Sequence, residues 1–96
     1  MKPENKSFVR WVILQTLYNA RPIGAVESLI RSVVETVDSC SQLELRQELD
    51  YLRDRNVISI HDEHTGTWRA EIERYGVDIV EYTIPVEPGI ARPRRD

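Results

Sequence analysis

A chain of 96 residues suits one domain, its 41% hydrophobic content can build a modest core, and its single cysteine, Cys40, excludes an intrachain disulfide and points to a reducing cytoplasm. No apolar run approaches the ~20 residues that cross a bilayer, and Met-Lys-Pro-Glu-Asn-Lys carries no apolar signal region, so neither secretion nor a membrane partner is expected. The formal charge of −3 sets a condition on any nucleic-acid reading: phosphate affinity comes from Lys and Arg, so the thirteen cations must gather on one face.

In chain order, residues 1–7 are polar and expected to be flexible. A first helix is predicted over 7–20, capped by Ser7, with Val9, Ile13 and Leu17 on one face and Phe8, Val12 and Leu14 widening it. Pro22 ends it, because the residue before a proline is pushed out of the helical region. In the second helix Val26, Leu29, Ile30, Val33, Val34 and Val37 follow helical spacing. Glu27, Ser28, Arg31, Ser32, Glu35 and Thr36 are placed on the opposite, wet face. Its valines are poor helix formers, so packing must hold it.

After a turn at 38–41, Ser41 and Glu44 form a capping box, with Ser39 and Gln42 offering an overlapping register. The third helix runs to about residue 55 on an apolar face of Leu45, Leu49 and Leu52, and Asn56 can take the left-handed position that ends it. Alternation over 57–60 and 68–72, around a polar turn at 62–66, predicts a β-hairpin. A fourth helix is expected over 73–82, with Val77, Ile79 and Val80 inward and Gly76 permitting close approach. Pro85, Pro88 and Pro93 then keep the chain extended.

This order predicts an α+β, mainly α fold: a winged helix-turn-helix with a three-helix core, a two-stranded β-wing, a short fourth helix and an extended C-terminal tail. The domain is expected over 8–82, between a flexible N-terminus, 1–7, and a Pro-rich tail, 83–96.

Several positions sharpen this. Arg10-x-x-Ile-Leu14, Arg46-x-x-Leu-x-x-Leu52, Val57-Ile58, Gly76-Val-Asp78 and the tail Val86-x-Pro-Gly-Ile-x-Arg-Pro93 resemble the small winged-helix, ArsR-like proteins of Mu-like phages and prophages, over about residues 8–93. Asn56 stands where that pattern has glycine, and Glu73-Arg74-Tyr75 replaces its usual start of the fourth helix. The resemblance implies the fold and a phage setting. It implies little about activity, and the cysteine pair of metal-sensing relatives is missing.

The third helix would be the recognition helix. Gln42, Arg46 and Gln47 are residue types that read base edges, Arg53 is a further expected contact of the same helix with double-stranded DNA, and Arg69 of the wing would meet its phosphates. Arg92, Arg94 and Arg95 would form a basic arm. Against this, residues 41–55 hold three arginines and four carboxylates. The like-charged pairs Glu44–Glu48 and Asp50–Asp54 leave room for a cationic partner. The expected function is a DNA-binding transcriptional regulator; the alternative is a phage protein–protein interaction module that has lost DNA binding. Trp11, Tyr18, Ile84, Val86 and Ile90 exceed the needs of a small core and are expected at a homodimer interface. His61 and His64 have ligand chemistry, but polar residues are expected at a turn, so no metal is assigned. No phosphate loop, nucleophile elbow or acid pair appears, so neither enzymatic activity nor a cofactor is expected.

Overall fold

A capping box starts the third helix, and left-handed residues end the third and the fourth. The computed structural model describes residues 1–95. A 3-10 turn, Pro3–Asn5, leads into α1 (Lys6–Asn19), then β1 (Ala25–Val26), α2 (Glu27–Val34) and α3 (Gln42–Asp54). The hairpin β2 (Ile58–His61) and β3 (Arg69–Ile72), joined through a 3-10 turn at Glu63–Thr65, precedes α4 (Arg74–Val80). Among the described residues this is a mainly helical α+β arrangement, four α-helices with one three-stranded antiparallel sheet in the order β1-β3-β2.

The capping box is made as expected: Ser41 Oγ accepts from the Glu44 amide and the Glu44 carboxylate accepts from the Ser41 amide. Asn56 takes φ 63° at the end of α3, where the amides of Asn56 and Val57 reach back to the carbonyls of Arg53 and Leu52. Tyr82, also left-handed at φ 61°, ends α4 through the same pair of bonds, to Ile79 and Asp78. For a bulky aromatic this position is strained, and the Tyr82 side chain is held by the Pro93 carbonyl and edge-on against Trp11.

The hairpin pairs Ile58 with Ile72 and Ile60 with Ala70, as the alternation predicts. The short strand β1 is an addition to that reading. Two residues are too few for a periodic signal, and Ala25 pairs with Ala70 only because Gly24 has no side chain. A Cβ on Gly24 would lie 2.3 Å from the Ala70 carbonyl oxygen, and its φ of 82° suits glycine. At Gly76 a Cβ would lie 2.4 Å from the Val57 carbonyl oxygen, so α4 rests on the hairpin at a distance only glycine allows.

One core joins all the helices. Ile13, Leu14 and Leu17 of α1 meet Ile30 and Val34 of α2 and Leu45, Leu49 and Leu52 of α3, closed by Val57, Ala70, Ile79 and Ile90. Each such aliphatic side chain stabilises by about 1.5–3 kcal/mol relative to exposure. Cys40 is buried among them, and burial pushes its thiol up, away from the reactive thiolate.

Two expectations are corrected. Helix α2 is shorter than the expected stripe, with Val26 in β1 and Val37 in the following turn, and the stripe is rotated: Ile30, Val34 and Glu27 face inward, whereas Leu29 is exposed and Val33 is half-buried. Six apolar residues made the stripe wider than the core can cover, and the charge at Glu27 concealed the buried side. The N-terminal residues, expected to be loose, make defined bonds. Asp38 accepts from the Lys2 amide at 2.8 Å and the Asn5 amide group at 3.0 Å, and α1 starts at Lys6 after Asn5 rather than at a Ser7 cap.

Candidate interaction surface on the third helix and hairpin

The first half of α3 is organised around a buried carboxylate. Glu27, 5% exposed at the start of α2, accepts from Arg46 Nε at 3.0 Å and Nη2 at 2.9 Å, and from the Trp68 amide. Burial alone would raise its pKa, but the Arg46 guanidinium and the Trp68 amide outweigh this and leave it below the usual carboxylate value. Arg46 also donates to the Gly66 carbonyl at 2.8 Å and lies 4.8 Å from the centre of the Trp68 ring. This one arginine ties α2, α3 and the hairpin turn together. The planar fork expected to read bases is filled here by a matching carboxylate.

The other cations of this surface are similarly engaged. Arg53 bridges Asp50 on its own helix and Glu63 on the turn. Arg69 donates to Glu71 at 2.7 Å and to the Ile23 carbonyl at 2.8 Å, with Asp62 at 3.6 Å. Arg55 pairs with Glu87 of the tail, and both Arg55 and Arg10 lie 3.5 Å from the centre of the Tyr51 ring. Gln42 and Gln47 remain exposed on α3, beside Leu43. The like-charged pair Glu44–Glu48 is resolved by long-range cations: Glu44 takes the Met1 amino group at 2.8 Å, and buried Glu48 takes Arg10 Nε at 2.6 Å.

The tail does not form the expected basic arm as a unit. Arg92 donates to the carbonyls of Ile79 and Ile84, both at 2.9 Å, and stacks 4.4 Å from the Tyr82 ring centre. Arg94 and Arg95 are exposed, Arg95 lying 5.0 Å from the same ring. The residues expected at a dimer interface make contacts within one chain. Trp11 and Ile90 are 4% and 2% exposed in the core of one chain, Ile84 and Val86 pack against that core, and Tyr18 donates to Glu81 at 2.7 Å. The tail covers α1 within the same molecule, which accounts for their size.

On β2 and β3, Ser59, His61 and Glu71 stand together, but Ser59 Oγ at 2.9 Å and Glu71 at 3.4 Å both meet His61 Nε2. A nucleophile–base–acid relay needs the two partners on opposite ring nitrogens, so this set is not one. Among the described residues no group of three His, Cys, Asp or Glu side chains is placed to hold a metal ion. No helix of the described residues is long and apolar enough to cross a membrane. The residues that sequence reasoning missed are Glu27, Arg10 and Glu48, because their partners lie 19 to 38 positions away. Comparison with protein-family models, with curated proteins and with solved structures gives no match.

Proposed function

We propose that this chain is a winged-helix protein serving a phage or prophage as a non-enzymatic protein-interaction module, with the α3 and hairpin face turned to a cationic partner. The helix–strand–helix–helix–strand–strand order, with the last strand central in the sheet, supports the winged-helix reading. The resemblance carried by the tail and the helix signatures supports the phage setting. One observation carries the choice of partner. Residues 41–72 hold four arginines against seven carboxylates, and all four arginines are already engaged within the molecule. With those arginines engaged, the exposed carboxylates Asp54, Asp62 and Glu63 oppose phosphates and complement a basic protein surface.

The regulator reading keeps one point in its favour, the exposed amides of Gln42 and Gln47, which suit adenine edges. A salt titration separates the two. Duplex DNA from phage control regions is expected to show no binding even near ~50 mM salt. A lysine-rich peptide is expected to bind, more weakly after Asp54→Asn with Asp62→Asn. DNA affinity that falls steeply with salt and drops on Gln47→Ala would overturn this reading in favour of the regulator.

A further inference from the structure

The apolar stripe of α2 is only half used by the core. Leu29 is 52% exposed, Val26 of β1, immediately before the helix, is 41% exposed, and half-buried Val33 lies one turn from Leu29 on the same face. Beside Val33 runs a groove of about 370 Å³ walled by Val12, Gln15, Thr16 and Asn19 of α1. None of these residues is charged, in a chain where 30% of residues are. Interface centres are depleted of charge in the same way. For a molecule of net −3, an uncharged face is also one that meets its own copy without self-repulsion. The larger groove at the end of α3, about 490 Å³, is lined by Arg53, Glu73 and Arg74 and lacks that property.

A two-fold interface uses the same patch on both partners, so the patch must contain both what projects and what receives. This one does: Leu29 projects and the α1–α2 groove receives. We propose that two copies of this chain associate through the α1–α2 face about a two-fold axis, with Leu29 of each copy seated in the Val12–Val33 groove of the other. The proposal does not rest on the cationic-partner reading, which concerns a different face. A standard interface needs about 800 Å² per partner, roughly one seventh of the 5509 Å² surface, so residues around this patch must complete the contact.

Sedimentation across micromolar concentrations is expected to show a reversible monomer–dimer equilibrium. Leu29→Asp should weaken it at least ~tenfold, because the interface would have to bury an unpaired carboxylate. Since Leu29 is half exposed in the monomer, the circular dichroism spectrum and melting temperature should stay near those of the parent. Leu43→Asp, at a more exposed leucine on α3, should leave the dimer intact. A parent chain that stays monomeric, a Leu29→Asp dimer of unchanged affinity, or equal loss in Leu43→Asp would each overturn the proposal.

Discussion

Arg46 shows why a residue type does not settle a role. Its fork geometry suits a guanine edge, and it suits a carboxylate equally well. In this chain Glu27 takes it, at a site where an unpaired carboxylate would be costly. Removing one partner of such a pair harms more than the pair itself contributes, because the survivor is left buried and unanswered. Glu27→Ala leaves the Trp68 amide and the Arg46 guanidinium without their acceptor. It is expected to lower unfolding free energy by about 2–3 kcal/mol, read from urea denaturation. Arg46→Ala should destabilise as well. If both variants unfold like the parent, the pair is not the tie between α2, α3 and the hairpin described above.

At the scale of elements, the start of α3 is held by more than its own cap. The Met1 amino group holds the Glu44 carboxyl down at about 2, with the Ser41 amide adding to it. The Lys2 amide, then the Asn5 side chain, hold Asp38 at about 2. Both are depressed carboxylates, so what they contribute is complete above the ordinary carboxylate range and is lost as pH falls toward 2. The Met1 amino group is raised in turn, mainly by Glu44, so its share is present at neutral pH and fades only on the alkaline side. The protection of the Lys2 amide and of the first turn of α3, measured as exchange relative to the intrinsic rate at each pH, is therefore expected to fall between about pH 4 and pH 2. Asp38→Asn should lower the protection of Lys2 already at neutral pH and flatten its response to acid. An acid response at Lys2 identical in the variant would remove Asp38 from this account.

At the scale of the whole molecule, the tail is part of the core rather than an appendage. Ile90 is buried, the Ala91 amide donates to the Ser7 carbonyl, and Arg10 reaches the Gly89 carbonyl at 3.1 Å. Arg55, just past α3, pairs with Glu87 of the same segment, and Arg92 of the tail donates to the Ile79 carbonyl of α4. Ile90→Ala is expected to cost about 2–4 kcal/mol, in the range for a buried aliphatic cut back to its β-carbon, with a matching fall in melting temperature. An arm free to lie on a partner would tolerate that change with no loss of stability, and that result would return the tail to the interaction surface.

Short-range physics was legible in the chain itself. The Ser41–Glu44 cap, the left-handed Asn56 and the Ile58–Ile60 alternation each depend on a few neighbouring residues, and each appears as the local pattern predicts. Which side of α2 turns inward, whether Trp11 and Ile90 serve a core or an interface, and what Arg10, Arg46 and Arg92 hold were decided by tertiary structure. Those outcomes depend on partners up to 79 positions away, so no local window contains them. A broad apolar stripe and an arginine are both compatible with several neighbours. Only the closure of the core, which must cover Ile90 and leave no buried carboxylate such as Glu27 unpaired, selects among them.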